Sequence, residues 1–163
     1  MAQLLDPRVA AALAAQLRSP RTWVFGGVLI ALALVLAMLP LFGALGFEFA
    51  FVMAIAASVA AADLGAALTR RLHGPAPRPA PATGVPTRPP ARPVHLIVSL
   101  VAAAGLLALA LTAAPLGIIA LNGLRVRTCD WLFGFECYGA MTILSALWAS
   151  WVGVLCGLAA GRR

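Results

Sequence analysis

The chain has very little charge, since only 10% of its 163 residues are charged and none of them is lysine. A soluble domain of this size carries about 25% charged residues, so an ordinary water-soluble fold is excluded. Catalytic signatures such as HExxH, GxSxG or a phosphate-binding glycine loop are also missing. The arginines have no aromatic residues interleaved with them, which argues against a nucleic-acid partner. We therefore expect neither enzyme activity nor a cofactor.

What the chain does have is four long apolar runs, in keeping with a hydrophobic content of 63%. The runs cover residues 23–42, 47–68, 94–121 and 138–160. About 20 helical residues cross the roughly 30 Å hydrocarbon core of a bilayer at 1.5 Å per residue. These runs predict an all-α integral membrane protein with four transmembrane helices arranged as two hairpins. The third run is long enough to tilt, or to kink near Pro115.

The segments around the runs define the predicted organisation. Asp6-Pro7 and Ser19-Pro20 are helix-start signals in an N-terminal segment expected at the cytoplasmic surface. Residues 74–93 contain eight of the twelve prolines and no acid, which predicts a disordered linker. The predicted divisions are the N-terminal segment 1–22, the first hairpin 23–68, the linker 69–93, the second hairpin 94–160 with an outer loop at 122–137, and the tail 161–163.

A short sequence echo suggests that the two hairpins are parallel copies of one unit. Gly46-Phe47-Glu48 stands at the start of the second run, and Gly134-Phe135-Glu136 stands just before the fourth. In both places we expect the glutamate in the first turn of a helix that begins at the outer surface. A carboxylate is favoured there by the helix dipole and the free backbone N–H groups.

Arginine placement predicts the orientation. Ten arginines fall in segments that an even number of spans puts on one side of the membrane, namely Arg8, Arg18, Arg21, Arg70, Arg71, Arg78, Arg88, Arg92, Arg162 and Arg163. Only Arg125 and Arg127 lie on the other side. Because cytoplasmic segments carry the excess of basic residues, both termini and the linker are expected in the cytoplasm of a bacterial-type inner membrane.

Asp63 is the acidic residue placed deepest within an apolar run. An ionisable group inside a span costs about 3 kcal/mol on insertion scales, so it needs a partner or a role. One interpretation is a proton- or cation-coupled carboxylate in a small oligomeric transporter or channel. The other is an interfacial Asp satisfied by Arg70, by His73 or by water.

The outer loop offers a second set of candidates. Cys129 and Cys137 both fall in it, and an oxidising compartment would allow them to form a disulfide. A metal site using these cysteines with Asp130 and Glu136 is the alternative, although zinc sites favour other spacings. The loop charges that a lipid-directed membrane enzyme would have to use are Arg125, Arg127, Asp130 and Glu136.

The fourth run carries a small residue at every fourth position, and such a stripe lets another helix approach closely. Its members are Ser145, Ala149, Gly153, Gly157 and Gly161. The stripe predicts close assembly within the chain, with a protein partner or with a second copy. We therefore favour a non-enzymatic subunit or assembly partner of a membrane complex, such as one of a transport system. The alternatives are the transporter using Asp63 and the lipid-directed enzyme.

Overall fold

The computed structural model describes residues 6–39, 46–73, 93–125 and 130–160, and all regular secondary structure in these ranges is helical. The elements are α1 (Pro7–Leu17), α2 (Pro20–Met38), α3 (Phe47–His73), α4 (Pro93–Arg125), α5 (Trp131–Cys137), a π-helical segment (Tyr138–Ile143) and α6 (Leu144–Ala160). The last three elements follow one another without a break. We refer to them together as the fourth span, Trp131–Ala160.

Within the described ranges, four stretches are long and apolar enough to cross a bilayer, which confirms the predicted multi-pass, all-helical architecture. They are Pro20–Met38, Phe47–Leu72, Val94–Arg125 and Trp131–Ala160. Large apolar side chains protrude from their outer faces, while alanine makes up much of the buried core. Small core residues suit helices in lipid, where close packing, rather than removal of apolar surface from water, holds helices together.

Helices α3 and α4 form the central pair of the bundle. They contact each other, and both also contact α2 and α6. Among the described residues α2 and α6 make no contact, so they lie on opposite sides of the central pair. Of the contacts between the described helices, the packing of α3 against α6 is the most extensive. The bundle is therefore one unit; the division into two hairpins and the internal repeat stay predictions.

Helix α1 packs against the ends of α3 and α4 instead of extending the first span. The Asp6 side chain accepts a hydrogen bond from the Arg8 backbone N–H at 2.8 Å, and Pro7 follows as the first helical residue. Val9 is fully buried against Leu68 and Leu100. The Asp6 backbone N–H also donates to the Ser99 hydroxyl of α4 at 3.2 Å. These contacts hold α1 on the bundle.

The outer loop is shorter than the predicted residues 122–137. Helix α4 continues to Arg125, and α5 begins at Trp131. The polar residues that suggested a loop lie at the ends of helices. In the last turn of α4, the Asn122 side-chain amide donates a hydrogen bond to the Ala37 backbone carbonyl of α2 at 3.3 Å. Asp130 is the N-cap of α5, where it accepts a hydrogen bond from the Phe133 N–H at 3.0 Å. Residues 126–129 lie outside the described ranges, as do 74–92 of the predicted linker.

The two glycine-phenylalanine-glutamate triplets occupy different positions. Glu48 lies in the first turn of α3, as predicted. Gly134 is buried inside α5, and Glu136 is the sixth residue of that helix, so it does not cap the helix start. The cap is Asp130, because the fourth span begins seven residues earlier than its apolar run.

Candidate functional site

Asp63 on α3 forms an ion pair with Arg21 at the start of α2. The Oδ2 atom of Asp63 lies 2.8 Å from Nε of Arg21, and Nη2 of Arg21 donates a hydrogen bond to Oδ1 at 3.1 Å. Such a two-point contact uses the planar fork of the guanidinium group, which point charges such as lysine do not offer. The Arg21 side chain is 54% exposed and that of Asp63 is 28% exposed, so the pair lies at the edge of the bundle.

The identity of this partner differs from what the sequence favours. Arg70 and His73 are closer to Asp63 in sequence, yet the contact is made by Arg21, 42 residues away. Because Arg21 is the second residue of α2, Asp63 lies at the level where the first span begins. This placement supports the structural interpretation of Asp63. A working carboxylate in a transporter stays a prediction, and a bound cation would have to displace Arg21.

Beside this ion pair lies an open cavity of about 290 Å³, which we call the arginine cavity. It is lined by Gln16, Arg21, Ala67, Arg70 and Arg71. The two arginines at the end of α3 are exposed, and no described residue forms an ion pair with either. The cavity wall therefore holds three guanidinium groups with one neighbouring carboxylate, and its local charge is positive.

The corner between α1 and α2 forms one wall of the arginine cavity. Ser19 caps α2, and the Thr22 hydroxyl donates a hydrogen bond to the backbone carbonyl oxygen of Gln16 at 2.7 Å. The Gln16 amide nitrogen in turn donates to the Thr22 hydroxyl at 3.4 Å. These bonds fix Gln16 in a fully buried position. Its side-chain oxygen Oε1 accepts no hydrogen bond from any of the described residues.

The C-terminal part of the predicted small-residue stripe, at Gly153 and Gly157, packs against α3 of the same chain. A Cβ atom added at Gly153 would collide with the Ala62 backbone carbonyl, and one at Gly157 would lie 2.7 Å from Cβ of Thr69. The Thr69 hydroxyl donates to the Gly65 carbonyl at 3.1 Å, on the same surface. This part of the stripe is therefore covered within the chain. Gly161 lies outside the described residues.

The π-helical segment ties the fourth span to both central helices. Tyr138 is fully buried, and its hydroxyl donates to the Thr112 carbonyl of α4 at 2.8 Å. The Thr142 hydroxyl donates to the Ala50 carbonyl of α3 at 2.9 Å. Thr112 lies three residues before Pro115, in the turn where the proline removes a backbone donor. The sequence analysis did not single out these residues. The available signal was a tyrosine at the start of an apolar run, because its hydroxyl needs a hydrogen-bond partner once it is buried.

The structure describes only some of the candidate residues of the predicted outer loop. Cys137 is half-buried, but Cys129 lies outside the described residues, so the disulfide between them stays a prediction. Arg125 is exposed at the end of α4, and Arg127 also lies outside the described ranges. Within those ranges, no group of three His, Cys, Asp or Glu residues could hold a metal ion.

A groove of about 540 Å³ runs between α3 and the fourth span, and we call it the serine groove. Residues that line it include Phe51, Ile55, Ser58, Val59, Met141 and Ser145. Ser58 lies eleven residues into α3, or about 16 Å along its axis. Ser145, the first member of the stripe, also lines the groove, and both serines lie near the middle of their apolar stretches.

The fold and this distribution of polar groups define a helical multi-pass membrane protein in which five of the six described arginines lie at one end of the bundle. No protein-family model, curated protein or solved structure matches the chain.

Proposed function

We propose that the chain is a non-enzymatic subunit or assembly partner of an inner-membrane complex. Both termini and the proline-rich segment that joins α3 to α4, which is shorter than the predicted linker 69–93 because residues 69–73 belong to α3 and Pro93 begins α4, would lie in the cytoplasm. The positive-inside tendency supports this orientation, because ten of the twelve arginines fall on that side. In this arrangement the first two spans and the last two form successive hairpins, each of which enters from the cytoplasm and returns to it.

The serine groove is the observation that carries the proposal. Hydroxyl groups in the hydrocarbon region gain from hydrogen bonds to another helix, and small polar residues are enriched where transmembrane helices meet. Ser58 and Ser145 present two such hydroxyls to the groove, and Ile55 and Val59 protrude beside them with more than half of their surface exposed. We infer that a transmembrane helix of a partner subunit occupies this groove.

Several other polar and small residues support an assembly role because their contacts are made inside the chain. Arg21 neutralises Asp63, Thr69 and Thr142 join α3 to the fourth span, and Gly153 lies against α3. These contacts make a rigid bundle whose outward surfaces remain for partners. The partner surface is therefore the Ser145 end of the stripe rather than its glycine end.

Site-specific photocrosslinking in native membranes tests the proposal. A photoreactive amino acid at Ile55 lies in the serine groove, and the same amino acid at Leu34 lies on an exposed apolar face of α2. We expect one crosslinked product of defined mass from the Ile55 position and none from Leu34. Filling the groove with Ser145→Phe should abolish that product.

The mass of the product identifies the occupant. A product of twice the chain mass would mean that a second copy occupies the groove, which makes the complex a homo-oligomer. A product of another defined mass identifies a different subunit. A monodisperse monomer in mild detergent with no product from Ile55, or equal products from Ile55 and Leu34, would overturn the proposal. The melting temperature of Ser145→Phe checks that the variant folds.

A further inference from the structure

The arginine cavity contains two kinds of polar group that lack partners in the described part of the chain. Arg70 and Arg71 form no ion pair there, and Gln16 Oε1 accepts no hydrogen bond. Arg21, by contrast, is already engaged with Asp63. A ligand that provides partners for all of these groups must therefore carry negative charge near Arg70 and Arg71 and a hydrogen-bond donor near Gln16.

A phosphate group meets the first requirement. Guanidinium groups bind phosphate oxygens through paired, charge-assisted hydrogen bonds. The second requirement excludes a bare phosphate diester, because its oxygens only accept hydrogen bonds. An amide oxygen such as Gln16 Oε1 needs an O–H or N–H donor, and a fully buried residue that lacks one is destabilising.

The position of the arginine cavity points to a lipid as the source of the phosphate. The cavity lies where α2 begins and α3 approaches its end, and basic pockets between transmembrane helices at the membrane surface suit anionic headgroups. Its volume of about 290 Å³ is more than one phosphate group needs.

We propose that the arginine cavity binds the headgroup of an anionic glycerophospholipid that carries a free hydroxyl, such as phosphatidylglycerol. Arg70 and Arg71 hold the phosphate, and a headgroup hydroxyl donates a hydrogen bond to Gln16 Oε1. The site is separate from the serine groove, which lies between α3 and the fourth span. Binding there joins α3 to the α1–α2 corner through the lipid.

The test uses the full chain in a neutral detergent and measures both retained lipid by native mass spectrometry and the melting temperature. The probes are phosphatidylglycerol, phosphatidylcholine and inorganic phosphate. The variant Arg70→Gln/Arg71→Gln removes two charges from the cavity, and Arg8→Gln/Arg18→Gln removes two exposed charges that do not line it. We expect phosphatidylglycerol to bind the wild type and the second variant alike, and to bind the first at least tenfold more weakly.

Three results would overturn the proposal. Equal binding of phosphatidylglycerol by all three proteins would show that the cavity arginines do not hold it. An equal loss in both variants would mean that net charge alone attracts the lipid. A rise in melting temperature with inorganic phosphate as large as that with phosphatidylglycerol would assign the cavity to free phosphate instead.

A second comparison tests the role of Gln16. Phosphatidylmethanol has the same charge as phosphatidylglycerol but no headgroup hydroxyl. The wild type should retain phosphatidylglycerol several-fold more strongly than phosphatidylmethanol, and Gln16→Met should retain the two lipids equally. Equal retention by the wild type, or an unchanged preference in Gln16→Met, would refute the hydroxyl contact. A general loss of folding would lower both lipids together and would not erase the preference alone.

Discussion

Asp6, Asp63 and Asp130 are three of only five acidic residues in the chain, and each has a partner within it. Asp6 and Asp130 accept backbone hydrogen bonds at the starts of α1 and α5. Asp63 forms an ion pair with the guanidinium group of Arg21. A carboxylate near lipid is expensive unless a cation or several N–H groups stabilise it, so these scarce charges are placed where such groups exist.

The coupling between Arg21 and Asp63 can be measured with a double-mutant cycle. Asp63→Asn and Arg21→Gln should each lower the free energy of unfolding in detergent, because each leaves the opposite charge unpaired. Since Arg21 is more than half exposed, we expect a coupling energy of only about 0.5–1 kcal/mol. Thermal or denaturant unfolding of the four proteins gives this value.

Arg18→Gln provides the control, since Arg18 is an exposed arginine at the end of α1 with no ion pair to a described residue. Its effect should add to that of Asp63→Asn without coupling. If the Arg21 and Asp63 substitutions were also simply additive, the ion pair would contribute nothing to stability.

The importance of Asp63 was predictable from its place in an apolar run, but its partner was not found by looking along the same helix. The helix ends in the structure account for the pairing. Arg21 lies 17 residues before Met38, and Asp63 lies 16 residues after Phe47. At 1.5 Å per residue, an antiparallel pairing puts both about 25 Å from the same end of the bundle.

At the scale of the helices, the packing of α3 against α6 depends on glycine. Gly65, Gly153 and Gly157 all lie where an added Cβ would meet atoms of the opposite helix. The small residues allow the backbones to approach closely, and the Thr69 hydroxyl reaches to 3.5 Å from the Val154 carbonyl of α6. Close packing of this kind replaces the hydrophobic driving force that is missing between helices in lipid.

Gly153→Ala should therefore destabilise the bundle. The new Cβ would lie 2.8 Å from the Ala62 carbonyl carbon, and the rigid backbone there cannot move without separating the two helices. We expect a loss of about 1–3 kcal/mol in the free energy of unfolding, as for other overpacked sites. Unfolding in detergent measures the loss.

Gly27→Ala is the matched control, because nothing lies within 4 Å of a Cβ at that position on α2. Alanine is the better helix former, so this variant should be unchanged or more stable by up to about 1 kcal/mol. Equal effects of the two substitutions would mean that the α3–α6 contact is not as close as described.

The sequence predicts the helices better than their ends. Apolar runs indicate the four spans because length and composition decide whether a helix can cross lipid. The extension of α4 to Arg125 and the early start at Trp131 were missed, since polar residues at a helix end resemble a loop until their partners are known. The Asn122 amide, for example, binds a carbonyl on α2 that no local pattern reveals.

At the scale of the whole molecule, arginine placement predicts which side each segment faces. In a background without native cysteines, Arg125→Cys and Thr83→Cys introduce single thiols at the outer end of α4 and in the linker. A membrane-impermeant maleimide should label Arg125→Cys in intact cells and should label Thr83→Cys only after the cells are opened. The reverse pattern would invert the orientation. Labelling of both after opening shows that each variant is reactive.

Helix α2 is the span least enclosed by protein, with 22% of its most apolar window buried against 50% for α3. It leaves the ribosome before α3, and a helix with so little need of neighbours can remain in lipid on its own while synthesis continues. The ion pair between Arg21 and Asp63 can form only after α3 has also been made. We therefore expect insertion of α2 to precede its packing against α3, with the ion pair formed at the packing step.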